Sequence, residues 1–314
     1  MSSKNRIILG ALATLAFALV PFIVDAERSY LVYSLFLFFC YIVISQAWNL
    51  VAGYTGQISL GQHAFFGLGA YTTALLWLHD ITKTGYYFDP VTMFLSGLVP
   101  AVLAVIIGIP LLSRLRGDYF ALGTLGMGEI IRVIFVKGGS ITGASDGLHL
   151  PSAIYSSMKP YYWTGLLLAL FATLLVYFMA RSPVGLALRA IREDETSAAA
   201  RGIDILKYKV LAFSVGAFLA GLCGSLYGIY LFHINPDSVL KLDWTLYPIL
   251  ICVIGGTGTI TGPLLGALFI SAVFSVADIY FVEMHPLIAG ILIILVMKFM
   301  PKGLVGLIQK KETL

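Results

Sequence analysis

Residues 181–209 read RSPVGLALRAIREDETSAAARGIDILKYK, and long apolar segments lie on both sides of them. This stretch, called the charged island below, holds six of the 20 Lys and Arg residues and four acids: Arg181, Arg189, Arg192, Arg201, Lys207, Lys209, Glu193, Asp194, Glu195 and Asp204. Basic loops between membrane spans stay in the cytoplasm. The pattern therefore predicts a chain that crosses a membrane repeatedly and offers the charged island to a cytoplasmic partner.

The composition supports a membrane protein. Hydrophobic residues make up 59% of the chain and charged residues 11%, and mean hydropathy is +0.92, whereas soluble domains contain roughly 25% charged residues. No polar segment is long enough to fold as a soluble domain. We therefore predict an all-α, polytopic transmembrane bundle that forms one permease-like domain over residues 1–314.

The apolar runs predict about ten membrane segments of roughly 20 residues each. They are 7–24, 30–50, 62–79, 91–113, 119–136, 162–180, 209–232, 245–256, 262–281 and 286–300. Most Lys and Arg then fall on the side of the charged island, which places that side and both termini in the cytoplasm. Residues 7–24 fit a retained first span, although Val24-Asp25-Ala26 resembles a signal-peptidase site, and cleavage there would change no later orientation.

Several function classes find no support in the sequence. Net charge is only +4, and the basic residues cluster at span ends, as topology signals rather than a nucleic-acid surface. Cys40, Cys223 and Cys252 lie in apolar runs without CxxC spacing, so we expect no metal site. No HExxH, GxSxG or GxxxxGK[ST] motif occurs, so we expect no catalytic residues and no cofactor; any ATP would bind another chain.

Two glycine-rich breaks interrupt the apolar pattern: 49–63, NLVAGYTGQISLGQH, and 255–266, GGTGTITGPLLG. Non-helical backbone at membrane depth is tolerated only where it is buried in protein or lines a cavity. Paired breaks in the two halves of a transporter point to its pathway. The predicted pathway residues are Asn49, Gly53, Thr55, Gly56, Gln57, Ser59, Gly61, Gly255, Gly256 and Gly258.

The alternative for both breaks is tight turns between helices that pack through small residues. A third glycine-rich segment, 138–147, falls outside in the predicted topology. It would either cap the periplasmic mouth or serve as an ordinary connecting loop.

Glu129 and Arg132 are three residues apart within a predicted span, so they share one helix face. Ionisable groups inside a membrane are functional candidates by default. The two side chains could neutralise each other as an intramembrane ion pair, or they could take part in substrate passage or gating. No chain of acids that would suggest a proton relay accompanies them.

The charged island has signals for two short helices. Ser182-Pro183 is typical of a helix start, and the apolar spacing carries that helix to about Glu193. A second short helix follows Asp194 and ends at Gly202. Its small alanine surface could lie in a groove of another protein, with Arg192, Glu193, Glu195 and Arg201 fixing the register by charge. The alternative is a solvated loop.

Four blocks and the ending Met300–Leu304 resemble the LivM-type permease subunits of bacterial ATP-binding cassette importers for branched-chain amino acids. The blocks are Asn49–Leu75, Thr142–Leu148, Gly185–Gly228 and Val253–Gly266. The resemblance implies pairing in the membrane lipid with a second related permease, two cytoplasmic subunits that bind the ATP, and a periplasmic substrate-binding protein. It also implies that Glu195–Gly202 is the helix that couples to an ATPase. The expected coupling residues are Arg192, Glu193, Glu195, Ala199, Ala200, Arg201 and Gly202.

We therefore expect a non-enzymatic subunit that passes leucine, isoleucine and valine across the bacterial inner membrane. Related permeases carry urea or short amides, so these substrates form one alternative. A stand-alone secondary transporter is another, with Glu129 as the one candidate for an ion-coupling carboxylate. An intramembrane enzyme would need a convergent nucleophile and base, which the sequence does not supply.

Overall fold

The computed structural model describes residues 3–25, 27, 29–81, 88–151, 157–280, 290–291 and 303–306. Most of the described chain is helical. The helices are α1 (Ser3–Ile23), α2 (Tyr30–Trp48, extended by a π-helical turn, Asn49–Gly53), α3 (Gln62–Leu78), α4 (Pro90–Arg114), α5 (Asp118–Val136), α6 (Gly139–Thr142), α7 (Lys159–Arg181), α8 (Pro183–Glu193), α9 (Glu195–Ala200), α10 (Ile205–Leu231), α11 (Pro236–Val239), α12 (Asp243–Gly255) and α13 (Thr261–Tyr280). Two short strands, β1 (Leu148–His149) and β2 (His233–Ile234), pair antiparallel.

Six segments of the described chain are long and apolar enough to cross a membrane. They are Tyr30–Gly53, Pro90–Arg114, Asp118–Val136, Lys159–Arg181, Ile205–Leu231 and Pro236–Gly255. Leu12–Ile23 and Thr261–Ala277 are shorter apolar helices. The prediction of an all-α polytopic bundle is confirmed, but the count of about ten segments is not, and most of the predicted segment 286–300 lies outside the described residues.

Helix α2 forms the centre of the bundle. Its apolar stretch is 83% buried, compared with 28% for α5, and it packs against α7, α10, α12 and α13. Phe39 makes an edge-to-face contact with Tyr162 of α7, with ring centroids 5.1 Å apart. A displacement of either end of α2 would therefore affect several neighbouring helices.

Helices α3 and α10 approach so closely that backbone touches backbone. A side chain at Gly69 would overlap the backbone of Gly221, and one at Gly224 would overlap the carbonyl of Phe66. Small residues at helix interfaces permit such contact in membranes. The Thr73 hydroxyl nearby lies 2.7 Å from the hydroxyls of Ser96 on α4 and Ser225 on α10, so buried polar groups join all three helices.

Helices α12 and α13 form an equally tight hairpin. A side chain at Gly255 would overlap the carbonyl of Gly262, and one at Gly266 would overlap the carbonyl of Ile251. Gly256 and Gly258, in the turn between them, have φ of +122° and +76°, a region that glycine reaches without steric cost. The second break therefore packs closely and turns sharply at its glycines.

Two predicted spans begin earlier than expected. Helix α10 starts at Ile205 rather than at residue 209, because Asp204 caps it by accepting from the backbone N–H of Lys207 at 3.0 Å. The predicted segment 245–256 is the second part of Pro236–Gly255, a span that is interrupted between α11 and α12. Helix α12 has 13 residues and is about 20 Å long, shorter than the roughly 30 Å hydrocarbon core.

Candidate functional site

The two glycine-rich breaks meet at Asn49, in the π-helical turn that continues α2. The Asn49 Nδ2 donates to the carbonyl of Thr259 at 2.9 Å, and the N–H of Gly258 donates to Asn49 Oδ1 at 2.8 Å. One turn earlier, Gln46 Nε2 donates to the carbonyl of Ile260 at 2.9 Å. These three bonds fasten the end of α2 to the turn between α12 and α13.

After the π-helical turn the chain continues without helix from Gly56 to Gly61 before α3 begins. Gln57, Ser59 and Gly61 are buried, and Gly56 has φ of +74°. The N–H of Leu60 donates to the hydroxyl of Thr124 at 2.9 Å. Thr124 lies six residues, about 9 Å, from the N-terminus of α5. The start of α3 is therefore about 9 Å inside the bundle, measured from the N-terminus of α5.

The charged island folds into α8 and α9, as the sequence predicted. Helix α8 occupies Pro183–Glu193, but the hydroxyl of Ser182 donates to the carbonyl of Met179 instead of capping α8, which corrects that detail. Asp194 caps α9 by accepting from the N–H of Ser197 at 2.6 Å. This bond and the hydroxyl of Ser197 hold the pKa of Asp194 below its ordinary 3.8. Gly202 has φ of +81° where the chain leaves α9.

The charged island contacts the first break directly. The guanidinium of Arg192 donates to the carbonyl of Gly53, and Gln57 Nε2 donates to Glu195 Oε1 at 3.1 Å. A side chain at Gly258 would collide with the same guanidinium. Residues predicted separately for the pathway and for coupling are therefore neighbours.

Glu195 joins three elements besides its own helix. Its Oε1 lies 2.5 Å from Nζ of Lys209 on α10, and its Oε2 lies 3.8 Å from Nε of Arg116 in the turn between α4 and α5. With Gln57, these contacts tie the start of α9 to α10, to the α4–α5 turn and to the first break.

The opposite surface of α9 faces outward. Ala198 is 2% exposed, whereas Ala199 and Ala200 are exposed. Glu193, Arg201 and Gly202 are exposed as well. The alanines form a small, flat surface on which another protein could lie.

Glu129 and Arg132 do lie close together, but Arg132 has a nearer partner. Its Nη1 is 3.6 Å from Glu129 Oε2, and its Nη2 is 2.7 Å from Asp237 Oδ1 on α11. Nε2 of buried His63 lies 3.9 Å from Glu129 Oε1. Asp237 and His63 are far from α5 in sequence, so no local pattern could assign them to this cluster.

A cavity of about 270 Å³ lies between α2, α10, α12 and α13. Its lining combines aromatic rings, serine hydroxyls and one ion pair, Lys241 Nζ to Asp243 Oδ2 at 2.7 Å. This cavity was not predicted, since Lys241 falls in the loop between the predicted segments 209–232 and 245–256. The predicted pathway residues do not line this cavity; they lie at the far end of the same helices. The lining residues are Tyr30, Tyr33, Ser34, Leu37, Tyr41, Tyr227, Ser238, Lys241, Asp243, Trp244, Tyr247, Ser271, Phe274 and Ser275.

Comparison with known proteins places the chain among transport components. Residues 30–297 match the family described as "Branched-chain amino acid transport system / permease component". The high-affinity branched-chain amino acid transport system permease protein LivM of Salmonella typhimurium is 30% identical over 294 residues, which cover 84% of this chain and 67% of that protein. A probable LivM of Methanocaldococcus jannaschii is 25% identical over 310 residues, 84% of this chain and 90% of that protein.

A second kind of permease is also similar. The LivH protein of Escherichia coli is 29% identical over 184 residues, 58% of each chain. No solved structure matches the chain.

Proposed function

The chain belongs to the family of branched-chain amino acid transport permease components, and from this membership we propose that it is the membrane-spanning subunit of an ATP-driven importer for leucine, isoleucine and valine. It is a multi-pass membrane protein, and we place it in the bacterial inner membrane with both termini in the cytoplasm. The side of the bundle that carries the charged island is then the cytoplasmic side, as its basic residues favour.

The observation that carries the proposal is the position of α9. One surface of this short helix exposes Ala199 and Ala200, while Glu195 at its start reaches Gln57 and Lys209 inside the bundle. A helix that is exposed on one side and anchored on the other can transmit the movement of a bound partner. We therefore assign α9 as the seat of a cytoplasmic ATPase, with Arg192, Glu193, Glu195, Arg201 and Gly202 at its margins.

In this mechanism the ATPases move α9, and the movement reaches the first break through two contacts. Arg192 pulls on the carbonyl of Gly53, and Glu195 pulls on Gln57. The break is fastened to the α12–α13 turn by Asn49. Displacing the first break would open or close the cytoplasmic end of a pathway between α2 and α12. The other predicted pathway residues would line the same pathway: Thr55, Gly56, Ser59, Gly61, Gly255, Gly256 and Gly258.

The working importer needs further chains. LivM and LivH relatives are named as permease proteins of the same kind of transport system, which supports a pair of related permeases. Two cytoplasmic ATPase subunits would bind the ATP, and a periplasmic binding protein would deliver the amino acid. This chain would contribute the pathway and the coupling helix, and no cofactor of its own.

The test is reconstitution of the complex in vesicles with candidate ATPase subunits and labelled leucine. The variant Ala199→Arg/Ala200→Arg crowds the exposed side of α9 without touching the core, and Ile141→Arg, at a position 68% exposed on α6, is the matched control. We expect the double variant to lose ATPase assembly and ATP-dependent uptake, and the control to assemble normally. Uptake that needs no ATPase would overturn the importer model in favour of a secondary carrier. Transport of urea without transport of leucine would overturn the assignment of branched-chain amino acids as the substrates.

A further inference from the structure

We propose that the cavity between α2, α10, α12 and α13 is a binding site for the free amino acid in its zwitterionic form. The proposal deepens the proposed function, on which it rests, by assigning the site in the permease where the substrate pauses. It uses residues that the sequence analysis did not single out.

The ion pair in the cavity matches the two charges that every free amino acid carries. Lys241 Nζ and Asp243 Oδ2 lie 2.7 Å apart, and both line the cavity. A bound amino acid can place its carboxylate against Lys241 and its ammonium group against Asp243. Each protein charge then keeps an opposite partner, so the substrate exchanges one ion pair for two and leaves no charge unpaired.

The ion pair lies at the interruption of a membrane span, where the Lys241 side chain is 62% exposed and the Asp243 side chain 23% exposed. Lys241 falls between α11 and α12, and Asp243 is the first residue of α12. Trp244, the next residue, stacks on Phe66 of α3 with ring centroids 3.9 Å apart. Interrupted helices are where transporters bind their substrates.

The rest of the lining suits a branched apolar side chain. Tyr41, Tyr247 and Phe274 form an aromatic box with ring centroids 5.3 to 6.4 Å apart, and Tyr41 and Phe274 are buried. Tyr227 and Trp244, with centroids 4.6 Å apart in an edge-to-face arrangement, add two further aromatic rings to the lining. The volume of about 270 Å³ is close to the lower end of the roughly 300–1,000 Å³ of small-molecule sites.

The site is connected to the cytoplasmic break by the helices themselves. Tyr41 lies eight residues before Asn49 on the continuous α2 and π-helical segment, a distance of about 12 Å along the axis. Helices α12 and α13 likewise line the cavity at one end and hold the Gly258 turn at the other. Movement at the break can therefore reach a bound amino acid directly.

The experiment measures leucine uptake by the reconstituted complex together with binding of labelled leucine to the purified permease in nanodiscs. The variants are Lys241→Gln and Asp243→Asn, and the matched controls are Lys137→Gln and Asp80→Asn, both at exposed positions outside the cavity. We expect each cavity variant to raise the KM for leucine by about tenfold or more while ATPase assembly stays intact, and the controls to leave it unchanged. Ser271→Leu, which fills the cavity and keeps both charges, should abolish binding.

A second readout tests zwitterion recognition on the unaltered protein. Isovalerate lacks the ammonium group and isoamylamine lacks the carboxylate, so neither should displace labelled leucine, whereas isoleucine and valine should. Wild-type uptake with unchanged KM in both charge variants and in Ser271→Leu would overturn the site while leaving the importer function standing. Absence of ATP-dependent leucine uptake by the wild type would instead overturn the proposed function.

Discussion

The carboxylate of Glu195 lies 2.5 Å from the ammonium group of Lys209, a residue that is only 2% exposed. Lys209 is the fifth residue of α10, one of the span-length helices. A buried lysine needs a partner because an unpaired charge is expensive away from water. This contact therefore stabilises the bundle and at the same time fixes the start of α9 to it.

Glu195→Gln should destabilise the protein and uncouple it. Removing one partner of a buried ion pair costs about 3 kcal/mol at the lower end of the usual range, and the lower end applies because the Glu195 side chain is 21% exposed. Thermal unfolding in detergent measures the first effect, and uptake per ATP hydrolysed measures the second. Glu193→Gln, at an exposed neighbouring position, should leave the unfolding temperature unchanged.

The double variant Glu195→Met/Lys209→Met separates the two roles of this contact. It removes both charges, so stability should largely recover, while coupling should stay impaired because Gln57 also loses its acceptor. Full recovery of coupling would show that Glu195 serves stability alone.

Asn49→Ala should loosen the junction of the two breaks. It removes the acceptor for the Gly258 N–H and the donor to the Thr259 carbonyl, and unmet groups of this kind cost about 2 kcal/mol. Asn49→Asp keeps the acceptor but places a carboxylate against the Thr259 carbonyl, so it should be no better than alanine. The free energy of unfolding in detergent checks both, and wild-type stability of either variant contradicts the bonding described here.

Gly224→Ala should destabilise the bundle by about 1–3 kcal/mol, the usual cost of overpacking a filled core. Its Cβ would overlap the carbonyl of Phe66 and force α3 and α10 apart. Gly126→Ala is the matched control, because apart from its chain neighbours and the backbone of its own helix, no described atom lies within 4 Å of the position that its Cβ would occupy. That variant should gain about 0.5–1 kcal/mol, as alanine is the better helix former. Similar unfolding temperatures for the two variants would contradict the close approach.

The cap of α9 should depend on pH only under acidic conditions. The pKa of Asp194 is lowered from 3.8 by the N–H and hydroxyl of Ser197, so the unfolded segment takes up its proton at higher pH than the folded one. The stabilisation is therefore complete above pH 3.8 and is lost as the pH falls through the lower, folded pKa. A carboxyl NMR titration of the protein in micelles checks this, and Asp194→Asn should remove the dependence. A midpoint above 3.8 would be the contrary result.

Local rules in the sequence were sufficient to predict the two short helices of the charged island. Pro183 begins α8, Glu193 ends it, and Asp194 and Gly202 bound the next helix, because capping and helix termination depend on a few adjacent residues. The long helices could also be predicted from local sequence. A segment that crosses lipid needs an uninterrupted apolar helix, which is visible as a run of adjacent apolar residues.

Contacts between distant segments could not be predicted in this way. Arg132 pairs with Asp237, which is 105 residues away, although Glu129 was the only partner visible on its own helix. Lys209 seemed to mark the beginning of a span, yet Glu195 neutralises it and α10 begins earlier. Lys241 resembled a loop charge because nothing near it in sequence indicates that its span is interrupted.

The α12–α13 hairpin has a mechanical consequence. Gly255 meets Gly262 and Gly266 meets Ile251 with backbone against backbone, so at these two contacts no side chain separates α12 from α13. Such a hairpin is stiff and acts as a strut. A displacement of the Gly258 turn would be carried along α12 to Trp244, which lies about 17 Å from Gly255 along the helix axis. The shape of the chamber beside Trp244 would then be set by the position of a turn at the opposite end of the strut.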